Sequence, residues 1–169
     1  MADEIVNKVA QSKLMPVNLE DFYPAGRRIQ IDLKDWLFEG IMLREKDYRA
    51  AIKEHDFSAY QDAYVAIYCS EDAIIPTWAY MLMTSNVSPF AKKVVQGDLV
   101  QLETALYQEI IGSLNLNEFE GQRIILKGCG DKPVPISAYT NFVEKVQPVA
   151  LSILFGEPCS TVPVYKKPR

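Results

Sequence analysis

Over Arg28 to Leu33 the apolar residues Ile29, Ile31 and Leu33 alternate with polar neighbours, which puts them on one face of a β-strand. From Leu43 to His55 the period changes. Leu43, Tyr48, Ala51, Ile52 and His55 recur at helical spacing with Arg44, Glu45, Lys46, Arg49 and Lys53 between them, so an amphipathic helix with a charged face is expected. Ala63 to Tyr68 is a run of β-formers, and the next helix is expected to begin near Pro76, because proline has no N–H to lose in a first turn. Trp78, Met81 and Leu82 read as its core stripe and Asn86 to Pro89 as its end. Lys92 to Gln96 holds a short strand around Val94 and Val95. Asp98 with Gln101 then forms a capping box, and Leu99, Leu102, Leu106, Ile110 and Ile111 are the stripe of the clearest helix in the chain. Arg123 to Leu126 reads as a further strand. Ser137 to Phe155 reads as the last helix, kinked at Pro148, where a backbone bond is lost, and stopped by Gly156-Glu157-Pro158.

Strands alternating with helices argue for an α/β fold: a single domain, 1–169, with a mainly parallel or mixed sheet of about four strands and helices on both faces. Residues 1–26, with a weak helical pattern at Ile5, Val9 and Leu14 before the turn at Pro24-Ala25-Gly26, are expected to form an arm. Residues 157–169 show no periodicity and are expected to form a tail.

Composition narrows the class. With 169 residues, 49% of them apolar and 24% charged, the chain can bury a core without disulfides or an obligatory metal. The balance of 18 basic to 22 acidic residues offers no broad footprint for nucleic acid or an anionic membrane. Lys166, Lys167 and Arg169 are the one basic concentration, read as a solvated tail. No apolar run is long enough to span a bilayer and the N-terminus lacks a signal-peptide core, so a cytoplasmic location is the expectation. There, three widely spaced cysteines are reduced core thiols, reactive thiols or metal ligands.

One arrangement occurs twice. Tyr64 to Tyr80 runs from β-formers through Cys69, Asp72 and Pro76 to Ala79 and Tyr80. Arg123 to Tyr139 repeats this order with Cys129, Asp131, Pro135, Ala138 and Tyr139, one residue fewer separating cysteine from aspartate. The pattern suggests an internal strand-Cys-Asp-helix repeat whose halves pair at the sheet centre. Ligands of open parallel sheets bind beyond the carboxyl ends of the strands, so Cys69 and Cys129, with Asp72 and Asp131, are expected to converge on one rim, with the tail returning Cys159 to it. A helix N-terminus favours the thiolate, the form that attacks electrophiles or binds metal. Cys69, Cys129 and Cys159, with His55 as a weaker fourth donor, would suit zinc or an iron–sulfur cluster. Alternatively one thiol, with Asp72 or Asp131 nearby, is catalytic. Plainer readings stand beside these: cysteines filling tight corners, aspartates capping the helices that follow, and His55 packing on its apolar stripe. Neither a serine-hydrolase motif nor a dinucleotide or P-loop motif occurs.

Asp35-Trp36-Leu37-Phe38, CSEDAIIPTWAYM, LETALYQE, KGCGDKPVP and GEPCSTVPVYKK together resemble the bacterial domain of unknown function 2480 family, found mainly in Bacteroidetes, over nearly the whole chain. The resemblance implies no established activity. Genes of that family often lie near the SUF-type iron–sulfur assembly system, beside the desulfurase and its sulfur acceptor. This implies an accessory role in iron–sulfur assembly or metal handling, with assembly proteins as partners. Its alternatives are a thiol-dependent enzyme or persulfide carrier, and a non-catalytic interaction protein.

Overall fold

Parallel strands covered on both faces need unbroken apolar runs, and the chain supplies two, Val65-Ala66-Ile67 and Ile124-Ile125-Leu126, all at 2% exposure or less. Both become strands. The computed structural model describes residues 14–128, 130–157 and 159–168. Its strands are β1 (Leu14–Asn18), β2 (Arg28–Asp32), β3 (Tyr64–Tyr68), β4 (Lys93–Gln96), β5 (Arg123–Lys127), β6 (Ser152–Glu157) and β7 (Ser160–Lys166). Its helices are α1 (Glu45–Glu54), α2 (Thr77–Val87), α3 (Leu99–Gly112) and α4 (Ile136–Val146), with short 3-10 turns between. The fold is mixed α/β. A four-stranded sheet has the order β1-β5-β6-β7, parallel except for β7, and a separate three-stranded parallel sheet has the order β2-β3-β4. No described helix is long and apolar enough to cross a membrane.

The chain divides into two compact units, Pro24–Ala105 and the sequence before and after it, with the division inside α3. The inner unit packs Ile31 and Leu33, Tyr48 and Ile52 of α1, Val65 and Ile67 of β3, and Ala79, Met83 and Val87 of α2 into one core. Within it the Tyr48 hydroxyl donates to the Ala79 carbonyl at 3.0 Å. The outer unit packs Val17 and Leu19, Tyr107 and Ile111 of α3, Ile124 and Leu126 of β5, Ala138, Phe142 and Val146 of α4, and Ile153 of β6. Here the Tyr107 hydroxyl donates to the Leu19 carbonyl at 3.0 Å.

The two units are copies of one plan. The sequence offset that carries Tyr48 to Tyr107 also carries Ile52 to Ile111, Tyr60 to Phe119, Val65 to Ile124, Ala79 to Ala138, Met83 to Phe142 and Val87 to Val146, and every one of these is buried. Backbone detail follows the same offset. Asp62 and Gly121 both have positive φ, 57° and 67°, and their N–H groups donate to Phe90 and Val149 carbonyls, each at 2.9 Å. The pair Val65↔Val94 recurs as Ile124↔Ile153. A second offset relates β1 to β2, carrying Val17 to Ile31 and Leu19 to Leu33. At its centre the Asn18 and Asp32 side chains each accept an N–H two residues on, both at 3.1 Å.

Several expectations are corrected. The last helix ends at Val146, and the residues after the Gln147-Pro148-Val149 turn become β6. Proline there terminates the helix, as the equivalent Pro89 does in the inner copy. The supposed tail is β7, an edge strand, which is where a strand proline such as Pro163 is tolerated. In the expected arm, Ile5 and Val9 lie outside the described residues, whereas Leu14 opens β1. In α2 the buried stripe is Ala79, Met83 and Val87; Trp78 and Leu82 pack beside it and Met81 is 66% exposed. The expected mainly parallel four-stranded sheet is present, but the repeated strands β3 and β5 belong to different sheets and do not pair with each other.

Candidate functional site

In a parallel sheet the strand ends and the following helix starts gather on one edge. At that edge of the four-stranded sheet a cavity of about 400 Å³ opens among Glu20, just past β1, Gly128 and Gly130, just past β5, Phe155 of β6, and Ile136 and Tyr139 in the first turn of α4. Two glycines make the approach possible. A Cβ on Gly128 would run into the Phe155 ring, and one on Gly130 into the Glu20 carboxylate. That carboxylate accepts the Lys132 N–H at 2.6 Å, and the Lys132 ammonium reaches back to the Glu20 carbonyl at 3.4 Å. The ammonium also lies over the Tyr23 ring, 5.4 Å from its centre. Phe155 and Tyr139 meet edge to face at 5.8 Å and 86°. Pro135, the N-cap of α4, offers no side-chain cap, so the helix start presents partial positive charge to the same corner. The hollow combines an aromatic and aliphatic wall with one cation, one carboxylate already bound to backbone, and a helix start.

The corresponding corner of the three-stranded sheet carries different chemistry. Asp32, equivalent to Asn18, accepts N–H groups from Lys34 at 3.1 Å and Ser70 at 3.0 Å and lies 3.6 Å from the Lys34 ammonium. Burial opposes its ionisation, yet the hydrogen bonds from Ser70 and Lys34 and the Lys34 charge outweigh it, and the carboxyl sits below its ordinary range. Tyr80, equivalent to Tyr139, is raised above the usual phenol value by burial first, then by the nearby Cys69 and Asp32. An open hollow of about 670 Å³ here is lined by Tyr80, Thr77, Thr84 and Gln96.

The residues singled out in the sequence fall on several elements. Cys69 is half-buried, stands just past β3 and packs against the inner core. Cys159 is exposed in the turn between β6 and β7. Cys129 lies outside the described residues. The offset that superposes the two copies sets Cys69 against Gly128 and Ser70 against Cys129, so the thiols are not equivalent positions; Asp72 and Asp131 are. Both aspartates are exposed and neither caps a helix, because the N-cap positions are Pro76 and Pro135. His55 hydrogen-bonds the Tyr60 hydroxyl at 2.7 Å and packs edge-on against Phe57 and Trp36. Among the described residues no group of three or more His, Cys, Asp or Glu could hold a metal ion.

Glu20 and Lys132 escaped the sequence reading, because a carboxylate and a lysine far apart in the chain carry no local signature. The flanking Gly128 and Gly130 were the available signal: glycine on both sides of one residue after a strand marks close backbone approach. Comparison with known proteins adds one finding. The family described as Protein of unknown function (DUF2480) matches residues 3–167. No curated protein and no solved structure matches the chain.

Proposed function

We propose that this chain, which belongs to the DUF2480 family, binds a small organic acid in the cavity at the carboxyl edge of its four-stranded sheet. The observation that carries this reading is the paired close approach of Glu20 to Gly130 and of Phe155 to Gly128, which holds open a hollow with an apolar wall beside Lys132 and the start of α4. A flat apolar body would rest on Phe155 and Tyr139. Its carboxylate would meet the Lys132 ammonium and the first N–H groups of α4, an arrangement suited to anions. Glu20, whose carboxylate is already engaged by the Lys132 N–H, orients the loop.

Titration of labelled protein with benzoate is the test. Amide shifts concentrated at residues 130–139 and an affinity lowered about tenfold by Lys132→Ala support the reading. Equal shifts from benzylamine, or binding that ignores Lys132→Ala and Lys132→Glu, would refute it.

The thiol-dependent reading meets this one in sequence, since Cys129 follows Gly128 and precedes Gly130. Protection of Cys129 from iodoacetamide by benzoate, read by mass spectrometry, would join the two; labelling unchanged by benzoate separates them. The iron–sulfur or metal-handling role rests on the resemblance noted in the sequence. Elemental analysis of protein purified without oxygen, beside the Cys69→Ser, Cys129→Ser double variant, decides it: metal-free wild type that takes up neither iron nor zinc removes it.

A further inference from the structure

At the opposite, amino end of the four-stranded sheet the strand register itself builds a charged row. Leu14 pairs with Arg123, Arg123 with Ser152, and Ser152 with Lys166. Residues directly opposite one another in a sheet point to the same face, and adjacent strands lie about 4.8 Å apart. Arg123 and Lys166 therefore flank the Ser152 hydroxyl on one face, their backbones about 10 Å apart, a gap that two long side chains can close. Beyond the row, the Lys167 N–H donates to the Leu151 carbonyl at 2.9 Å, which holds the backbone of a third basic residue at the same rim.

A groove of about 520 Å³ lies over this row. Arg123, Ser152, Lys166 and Lys167 line it, and Leu154 and Pro163 belong to its apolar wall. Among the described residues no carboxylate lines the groove, although the chain as a whole carries a formal charge of −4. Lys166 and Lys167, read in the sequence with Arg169 as a solvated tail, are exposed, and the pairing of β7 with β6 puts them on the rim that carries Arg123.

We propose that this groove binds a phosphate monoester with a small apolar group. A planar guanidinium offers paired donors to a phosphate, an ammonium adds a point charge, and a serine hydroxyl between them donates to a third oxygen. The apolar wall would take the group carried by the ester. This site is distinct from the organic-acid cavity at the other edge of the sheet and does not depend on it.

Phenyl phosphate, inorganic phosphate and benzenesulfonate, each titrated at matched ionic strength into the full chain, test the proposal by calorimetry and amide shift mapping. The expected order of affinity is phenyl phosphate, then inorganic phosphate, then benzenesulfonate, with shifts centred on residues 123, 152 and 166. Arg123→Gln and Lys166→Gln should each weaken phenyl phosphate by about tenfold or more, while Lys132→Ala leaves it unchanged. Inorganic phosphate binding as tightly as phenyl phosphate would remove the apolar part of the assignment. Shifts centred on residues 130–139, effects reproduced by chloride alone, or affinity that survives the Arg123→Gln, Lys166→Gln pair would overturn the site. The wild-type shift map stands without the variants should either fail to fold.

Discussion

Gly130 and Glu20 should be coupled, and the sign of the coupling follows from geometry. A Cβ at position 130 would overlap the Glu20 carboxylate. In Gly130→Ala the carboxylate must swing away and release the Lys132 N–H it accepts at 2.6 Å. A hydrogen bond to a charged group contributes about 1.5–3 kcal/mol, and its exposure places this one nearer the lower figure. Against that, replacing glycine where the backbone is compatible gains about 0.4–1 kcal/mol by restricting the unfolded chain. The net expected cost of Gly130→Ala is about 1 kcal/mol. Glu20→Ala loses the same bond and should cost about 1–2 kcal/mol.

In the double variant the obstacle is gone, so the Gly130→Ala change keeps its unfolded-state advantage with nothing to displace. The pair should be no less stable than Glu20→Ala alone, and by up to about 1 kcal/mol more stable. Urea and thermal denaturation followed by circular dichroism read these differences, each kcal/mol moving Tm by about 2–4 °C for a chain of this size. Gly112→Ala is the control, since a Cβ there meets nothing within 4 Å; it should stabilise by the same amount with or without Glu20. Costs of Gly130→Ala and Glu20→Ala that add within about 0.5 kcal/mol would refute the reasoning.

Other outcomes follow from the same structure. Asp98→Ala should cost about 1 kcal/mol, because its carboxylate accepts the N–H groups of Val100 and Gln101 while Gln101 returns a bond to the Asp98 N–H; Asp98→Asn, keeping the acceptor, should cost less in the same denaturation assay. Phe142→Ala should cost about 3–5 kcal/mol and the equivalent Met83→Ala about 2–5 kcal/mol, each being fully buried in its own core; a cost under about 1 kcal/mol at either would contradict the packing. Burial first, then the charge of Tyr80, raises the Tyr48 phenol above its ordinary value. Its contribution is therefore intact below about pH 10 and lost as pH rises through the folded value, and Tyr48→Phe should flatten that alkaline limb. Asp32 behaves oppositely: with its carboxyl lowered, its contribution holds above about pH 4 and fades as pH falls, a fade that Asp32→Asn should reduce in acid unfolding curves.

Much of the local structure was legible because single residues announce it. Alternation gave β2 its bounds to within a residue, and the Asp98–Gln101 box appears with both reciprocal bonds. Errors arose where two states share one signature. The apolar run from Val149 to Phe155 fits a buried helix as well as a strand, and the strand prevails because Pro148 ends α4. In α2 the core face is led by Ala79, too small to register as hydrophobic, while the conspicuous Met81 faces solvent. Pro163 broke the alternation that would have revealed β7, since a proline costs an edge strand little.

Those errors share a remedy that was already in the sequence. Aligning the copies by their cysteines required one residue fewer between cysteine and aspartate in the second; aligning them by Tyr48 and Tyr107 needs no gap through Gly97 and Gly156. That frame equates Pro89 with Pro148 and β4 with β6, so the helix end and the strand after it, legible in the first copy, transfer to the second. It also moves the thiols out of register and leaves as duplicated features the tyrosine one turn into each helix and the backbone corner beside it. What the copies retain is the corner. The groups presented there have diverged: Glu20 faces Lys34, Lys132 faces Ala73 and Phe155 faces Gln96 across the alignment. A residue retained in both copies, such as Ala79 and Ala138 at zero exposure, reports the packing needed to form the corner, and a residue that differs between them is the place to look for chemistry. On that reasoning the Glu20–Lys132 pair, present in one copy and absent from the other, is the stronger candidate for specific function than Asp72 and Asp131, which both copies share.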